Sequence, residues 1–251
     1  MSGSRARGGH GETPRRGYVE DSIPGGYQLD ALQRGWRFQR AWHRSRLELV
    51  QYLLPPTGDG LVLDAAAGSG IVTWRFRNHR IVSTDMRVSA CAAIRRHTPG
   101  ARSLAALLDA LPFRSGTFSR IYLLEAIEHL DTSAGAHALR ELHRVARPGA
   151  TCLVSTPNYR SCWPVLEWIL DRVGPTPPMA EGQHLSRYDR RTLTRAAEDA
   201  GWTVGRIGSF NLVSPMAGTV SAAAGAWALR VEADRLPAGG PLLFALLHRG
   251  R

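Results

Sequence analysis

The chain contains no lysine: all 32 of its basic residues are arginines, and against 21 acidic residues they give a formal net charge of +11. A charge of that size is typical of proteins that bind nucleic acids or anionic membranes. Here, however, the arginines are scattered along the chain rather than gathered in one run. Because a lysine-free chain rich in Ala, Arg and Gly indicates biased coding, the charge carries little weight as evidence for a polyanionic partner.

Cysteine and long apolar runs are scarce as well. Cys91, Cys152 and Cys162 are an odd number without a C-x-x-C pair, which argues against both a disulfide framework and a zinc knuckle. No apolar stretch approaches the roughly 18 residues of a membrane span, and no apolar segment follows the N-terminal arginines. These absences predict a reduced, cytoplasmic protein without a transmembrane segment, and they leave the oligomeric state unknown.

The composition changes near residue 26. Residues 1–26 are mostly Gly, Arg, Ser and Pro with little to bury, so we expect a disordered or loosely attached arm. Residues 27–251 are long enough for one large domain. Apolar side chains recur at helical spacing from Leu32 to Val50, which predicts a helix or a pair of helices ending at Pro55-Pro56.

Short apolar runs then alternate with helical stretches. The predicted strands are 61–64, 81–84, about 102–108, 118–124, 150–155, about 203–209 and 242–248. This order predicts an α/β fold: a Rossmann-like, doubly wound, seven-stranded and mostly parallel sheet with helices on both faces and a small helical cap. Residues 159–183 and 211–238 are predicted cap or lid insertions, and the Ala-rich second insertion is predicted to form a single cap helix.

A glycine turn follows the first predicted strand. In "LVLDAAAGSG", residues 61–70, the strand ends at Asp64 and turns through Gly68 and Gly70 into a helix, which favours a bound anionic group. The third glycine of a dinucleotide fingerprint is missing, because Thr73 occupies that place. Asp85 ends the next strand, where it can accept both hydroxyls of a ribose or serve as a helix N-cap.

A second polar cluster follows the fourth strand. In "LLEAIEHL", residues 123–130, Glu128 and His129 come three and four residues after Glu125, so one helical turn would place all three on one face. Such a face can hold Mg²⁺, Mn²⁺ or Zn²⁺. The alternative is structural: a Glu favoured by the helix dipole and a His that is only hydrogen-bonded.

Taken in order, these motifs carry a family resemblance. D-x-x-x-G-x-G, a strand-end Asp, "DALPF", E-x-x-E-H and "ELHRVARPGATCLVSTPN" resemble the class I S-adenosylmethionine-dependent methyltransferases, in particular the ubiquinone-biosynthesis O-methyltransferases. The resemblance covers residues 40–210. It implies S-adenosylmethionine as cofactor, and the candidate binding residues are Asp64, Ala65, Gly68, Gly70, Asp85, Met86, Asp109, Ala110 and Glu125.

The resemblance implies a role for each of these residues. Asp64 to Gly70 would follow the methionine part of the cofactor, Asp85 would hold the ribose, and Met86 would pack on the adenine. Asp109 and Ala110 would meet the adenine amino edge, and Glu125 would face the methionine part or the substrate. One departure is visible, because the usual Asp-x-Gly-Cys-Gly reads Asp64-Ala65-Ala66-Ala67-Gly68. An alanine there constrains a turn that glycine relaxes.

The same resemblance suggests how a proton is removed. E-x-x-E-H is a metal-site motif in ubiquinone-biosynthesis and small-RNA 2′-O-methyltransferases, and His184 matches a family G-x-H segment. The candidate metal ligands are thus Glu125, Glu128, His129 and His184. Without a metal, His129 or His184 would act as base beside Glu125.

The sequence therefore favours O-methylation of a small-molecule hydroxyl on a phenol, polyketide, sugar or quinone precursor. Two alternatives stay open: a metal-dependent 2′-O-methyltransferase of RNA ends and a non-catalytic cofactor-binding module. RNA binding has one local indication, the arginines and aromatics of residues 34–46. Trp36, Trp42 and Arg46 of this segment are at least as easily explained by a helix that covers the cofactor pocket. The apolar helix within 159–183 either packs on the domain or touches a membrane surface.

Overall fold

The computed structural model describes residues 24–56, 58, 60–173 and 184–251, without the side chains of 169–173. Most of the predicted arm, residues 1–23, lies outside this described part. So does 174–183, the second half of the first predicted insertion.

Seven strands form one sheet. In chain order they are β1 Val62–Ala65, β2 Ile81–Asp85, β3 Arg102–Ala105, β4 Phe118–Leu124, β5 Ala146–Pro157, β6 Thr203–Phe210 and β7 Leu242–His248. Their order across the sheet is β3-β2-β1-β4-β5-β7-β6. β1 to β5 pair in parallel, whereas β7 runs antiparallel to both β5 and β6. The predicted doubly wound, mostly parallel sheet is thereby confirmed.

Two strand boundaries differ from the prediction by more than two residues. β3 ends at Ala105 because the chain leaves the ladder there, and Ala106 and Leu108 line a cavity instead. β5 begins at Ala146, and Gly149 lies inside it in the left-handed region with φ 77°. Pro148 and Gly149 therefore form an irregularity within the strand, where its register against β4 shifts.

Helices cover both faces of the sheet. The α-helices are α1 Tyr27–Arg34, α2 Arg37–Leu53, α3 Ile71–Arg75, α4 Val88–His97, α5 Thr132–Val145, α6 Trp163–Val173, α7 Arg190–Asp199, α8 Ser214–Val220 and α9 Ala222–Arg235; a 3₁₀ turn spans Ile127–His129. α1 and α2 are the predicted pair, and α2 ends just before Pro55-Pro56.

The 211–238 insertion forms two helices rather than the single one predicted. Ser221 adopts an extended conformation between α8 and α9, and its hydroxyl accepts the Ala224 N–H, so it ends one helix and caps the next. Gly218 and Gly225 face each other so closely that a Cβ on Gly225 would lie 2.8 Å from the Gly218 Cα. Both helices pack against α2 and build a cap beside it.

The core lies in two layers because the central strands are buried on both faces. Ile121 and Leu123 of β4 join one apolar cluster, whereas Tyr122 between them joins the other. Polar residues instead gather where β1, β2 and β4 end together. Within the described residues, no helix is long and apolar enough to cross a membrane.

Candidate functional site

The turn after β1 is tightly constrained. Gly68 and Gly70 have φ 54° and 68°, and Ile94 fills the space that a Cβ on Gly70 would need, with its Cγ1 at 2.6 Å. Ala66 stands where the family pattern has glycine, and it too is left-handed with φ 52°. A left-handed alanine costs about 1 kcal/mol or more. This departure from the family is therefore accommodated with backbone strain at the site itself.

Asp64 lies beneath this turn. The Thr73 hydroxyl is 3.3 Å from Asp64 Oδ2 and 2.6 Å from the Ser83 hydroxyl, which links β1 to β2. Burial raises the pKa of Asp64 to about 7. Thr73, the residue that breaks the dinucleotide fingerprint, thus donates a hydrogen bond that helps to hold the Asp64 carboxyl in place.

Asp85, at the end of β2, accepts hydrogen bonds from two backbone N–H groups and from one side chain. Its Oδ2 accepts the Gly68 N–H at 2.8 Å, and its Oδ1 accepts the Arg87 N–H at 3.0 Å and the Arg87 Nε–H at 3.3 Å. The N-cap of α4 is Arg87, which has no side-chain cap. Because Asp85 does not cap that helix, its position agrees better with the ligand-binding interpretation.

A cavity opens between these strand ends. It is lined by Gln28, Ala66, Gly68, Asp85, Met86, Arg87, Ala106, Leu108, Glu125, Ala126, His129 and Leu130. Five of the sequence-predicted site residues are in this lining: Gly68, Asp85, Met86, Glu125 and His129.

Five other predicted cofactor residues do not line the cavity. Asp64 and Ala65 are buried below it, and Gly70 packs against Ile94. Asp109 and Ala110 are exposed on the loop after β3. Their proposed contact with the adenine therefore remains a prediction.

α1 closes the cavity from the side of the glycine turn. The Gln28 N–H donates to the Ser69 hydroxyl at 3.0 Å, and a Cβ on Gly68 would lie 2.7 Å from Gln28 Oε1. Gln28 was not predicted, because no local pattern marks a residue that reaches the site across 41 positions of the chain.

Glu125 faces the cavity immediately after β4. It adopts a left-handed conformation with φ 50°, and its Oε1 lies 3.2 Å from the Nε of Arg46 on α2. Burial raises the pKa of Glu125, and the positive charge of Arg46 opposes that rise. The sequence suggested that Arg46 lies on a helix covering the pocket, but its contact with Glu125 was not predicted.

Glu128, His129 and His184 form a compact cluster of potential ligands. One ligand atom of each lies within 4.8 Å of the others, and no second such group occurs in the described residues. The 3₁₀ turn, rather than a shared α-helical face, presents Glu128 and His129, and the loop before α7 brings His184. Glu125, the fourth predicted metal ligand, is not part of the group.

Glu128 is almost fully buried. The Thr156 hydroxyl donates to its Oε2 at 3.0 Å, and its main-chain carbonyl accepts the Ser186 N–H. Burial raises the pKa of Glu128 to about 8, and the nearby charge of Glu125 acts in the same direction. At neutral pH this carboxyl is therefore largely protonated unless a cation stabilises its charge.

His184 is oriented by the insertion that precedes it. Its Nδ1 lies 2.8 Å from Oε1 of Glu167 on α6 and 2.7 Å from the Tyr159 hydroxyl. Burial, with the neighbouring charges of His129 and Arg187, lowers the pKa of His184 to about 4. His184 is thus a neutral imidazole at pH 7, and with Nδ1 engaged, Nε2 is the nitrogen available to an ion or a substrate.

The donor set fits a transition-metal ion better than Mg²⁺. One carboxylate and two imidazoles suit Zn²⁺ or Mn²⁺, whereas Mg²⁺ prefers oxygen ligands. A carboxylate on the second nitrogen of a histidine, as Glu167 provides, commonly accompanies metal-ligating histidines. The residues present therefore fit a metal without Glu125.

Aromatic rings from two helices cover His184. Trp42 of α2 lies 6.0 Å from Trp163 of α6, and Trp163 lies 6.5 Å from His184, measured between ring centroids. In the same stretch His43 and Arg46 are buried. Trp42, His43 and Arg46 of the segment that suggested RNA binding thus pack at the site, whereas Arg34, Arg37 and Arg40 of the same segment are exposed.

The buried Glu128 predicts a pH-dependent stability. The pKa of the Glu128 carboxyl is about 8 in the folded protein, above the value of 4.5 in the unfolded chain. The stabilising contribution of this carboxyl to the free energy of unfolding is therefore complete below pH 4.5 and is lost as pH rises towards 8. The free energy of unfolding should fall by at most about 1.4 kcal/mol per pH unit from this group. Denaturant titrations from pH 5 to 8, with a chelator present, should show that the free energy of unfolding of Glu128→Gln depends less on pH than that of wild type. The exposed Glu198→Gln should retain the wild-type slope, and a Glu128→Gln slope equal to wild type would contradict the expectation.

Fold and site together define an α/β protein with a glycine turn and acidic strand ends around one cavity, an arrangement typical of proteins that bind a nucleoside-type cofactor. The chain belongs to the methyltransferase domain family, whose family model matches residues 35–206. It is thus an S-adenosylmethionine-dependent methyltransferase.

Relatives and solved structures agree with this class. A malonyl-[acyl-carrier protein] O-methyltransferase of Enterobacter lignolyticus is 26% identical over 190 residues, which are 71% of this chain and 68% of that protein. A methyltransferase structure from Thermotoga maritima matches with TM-score 0.64 and 14% identity, covering 90% of this chain and 99% of the other. A geranyl diphosphate C-methyltransferase from Streptomyces coelicolor matches with TM-score 0.59 and 16% identity, covering 91% and 84%. At these identities the structures show a shared fold only.

Proposed function

We propose that the protein methylates an oxygen atom of a small molecule, most simply a hydroxyl of a phenol, polyketide, sugar or quinone precursor. One observation carries this proposal: His129 lines the cofactor cavity and also belongs to the cluster with Glu128 and His184. Groups that can accept a proton or hold an oxygen therefore adjoin the cavity from which a methyl group would come.

The cofactor supplies an electrophilic methyl group on a sulfonium sulfur. For that transfer the protein must align the acceptor oxygen, exclude water and help to remove a proton. Asp85 and the Gly68 turn would hold the ribose and its neighbours. Trp42 and Trp163 would keep water from the acceptor side, and His184 or His129 would take the proton.

A metal at Glu128, His129 and His184 would lower the pKa of an acceptor hydroxyl. Glu167 would then hold the His184 ring through Nδ1, which leaves Nε2 for the ion. In the absence of metal, the same contact would keep Nε2 as the basic nitrogen towards the acceptor.

A second candidate acceptor is a carboxyl group. The curated relative from Enterobacter lignolyticus is named for methylating malonyl-[acyl-carrier protein], which favours a carboxylate oxygen. A carboxylate is already ionised at neutral pH, so its methylation needs no general base. In that case the histidines would position the acceptor instead of accepting its proton.

Calorimetry and a methyl-transfer assay test the proposal together. S-adenosylhomocysteine should bind, and the chain should transfer a labelled methyl group to hydroxylated aromatic acceptors but not to the same acceptors lacking the hydroxyl. The assay is repeated after chelation and with Zn²⁺, Mn²⁺ or Mg²⁺ restored. Transfer only to carboxylates would replace the hydroxyl by the second candidate. Transfer to nitrogen or carbon acceptors, but to no oxygen, would refute the proposal.

A further inference from the structure

A basic groove separates α2 from the junction of α8 and α9. Arg37, Arg40 and Arg44 line one side of it, Thr219 and Ser221 line the other, and none of the described residues in this lining is acidic. The three arginines follow each other at intervals of three and four positions, so they project from one face of α2. The groove volume of about 270 Å³ is close to the lower end, roughly 300 Å³, of small-molecule pockets.

The charges of these three arginines do not stabilise α2. Arg37 and Arg40 lie in its first turn, which holds no acidic residue, and the helix dipole disfavours positive charge there. Like charges three or four positions apart also repel each other. In the described part of the chain, no hydrogen bond or ion pair reaches any of the three guanidinium groups. Folding therefore gathers three positive charges in one groove without a counter-charge among the described residues.

We propose that this groove binds a phosphate monoester, that is, a terminal phosphate group attached through one ester bond. Such a group carries about two negative charges near neutral pH and three terminal oxygens, and the arginine fork matches its geometry. A phosphodiester of a nucleic-acid backbone carries a single charge, so it would balance three arginines less well. The Ser221 hydroxyl accepts the Ala224 N–H, which leaves its own proton to donate to the anion.

A bound phosphate would join the cap to the helix that reaches the cofactor cavity. Gly218 of α8 already lies against α2, since a Cβ added there would be 2.9 Å from the Ala41 Cβ. The buried Arg46 of the same helix lies 3.2 Å from Glu125, which lines the cofactor cavity. The groove and that cavity share no lining residue, so the phosphate ligand would bind apart from the cofactor.

Methyl phosphate and dimethyl phosphate are a matched pair of probes for the monoester. Calorimetry is done at constant ionic strength with S-adenosylhomocysteine present, so that the cofactor cavity is filled. Wild type should bind methyl phosphate at least about tenfold more tightly than dimethyl phosphate. The double variant Arg37→Gln with Arg44→Gln should bind methyl phosphate at least about tenfold more weakly than wild type. In wild type, methyl phosphate should also raise the midpoint of thermal unfolding.

The control variant Arg96→Gln with Arg140→Gln removes two exposed charges from α4 and α5. It should bind methyl phosphate as wild type does. Equal losses in the two double variants would show a dependence on net charge alone and would overturn the proposal. So would equal affinities of wild type for the two phosphates, or no binding of methyl phosphate, and these results need no variant to fold.

Two further probes separate the sources of the monoester. Glycerol 3-phosphate offers it on a free small molecule, and vesicles of phosphatidic acid in phosphatidylcholine offer it as a lipid headgroup. Binding of glycerol 3-phosphate that is lost in the Arg37 and Arg44 double variant would support the site with a free ligand. Binding of the vesicles alone, lost in the same variant, would support it with a headgroup. Binding of a single-stranded RNA with a 5′-hydroxyl, but of neither monoester, would overturn the proposal in favour of nucleic acid.

Discussion

Replacing His184 by alanine is expected to lower kcat for a hydroxyl acceptor about 100- to 10,000-fold, the range over which a general base contributes. His184 has a neutral imidazole, because burial and nearby positive charge lower its pKa to about 4. It is also held by Glu167 and Tyr159, and it shares a cluster with His129, which lines the cavity between the strand ends. Removing it deletes a proton acceptor or a metal ligand. Steady-state kinetics with a hydroxylated acceptor measures the loss.

S-adenosylhomocysteine binding should be unchanged in His184→Ala, because His184 does not line the cavity. His137→Ala removes an exposed histidine and should keep wild-type kcat. If His184→Ala retained wild-type kcat with a hydroxyl acceptor, neither role could hold. Full activity with a carboxylate acceptor alone would instead favour the second candidate.

The local sequence predicted the fold well because the signals that fix it are local. Alternating apolar runs and helical stretches placed all seven strands, and Pro55-Pro56 placed the end of α2. The prediction of one helix in the 211–238 segment was wrong, because Ser221 ends α8 and caps α9 within a continuous alanine-rich pattern. Propensity alone does not show that an extended serine interrupts such a run.

Most of the predicted residues that lie at the site follow the ends of strands, whereas His184 was predicted through the family resemblance. Asp85 and Glu125 could be found in this way because parallel strands bring their carboxyl ends to one edge. Gln28, Arg46 and Glu167 reach the same edge from helices that are distant in sequence. Their contacts depend on how α1, α2 and α6 pack on the sheet, which no spacing in a single sequence encodes.

The Asp85→Asn variant is expected to bind S-adenosylhomocysteine about 100-fold more weakly or worse, since two charge-assisted hydrogen bonds to a ribose are worth roughly 1.5–3 kcal/mol each. Asn keeps the size of the side chain and one acceptor oxygen, so the Gly68 or Arg87 N–H retains a partner. Calorimetry measures the change, and circular dichroism checks that the variant is folded.

The ribose hydroxyls themselves provide the control. A 2′-deoxy analogue of S-adenosylhomocysteine has already lost one hydrogen bond, so Asp85→Asn should weaken its binding less than that of the parent ligand. The exposed Asp109→Asn tests the neighbouring assignment: a small effect is expected from its place outside the cavity lining, whereas the family resemblance would require a clear loss. If Asp85→Asn weakened both ligands equally, Asp85 would act by holding the Gly68 turn rather than by binding the ribose.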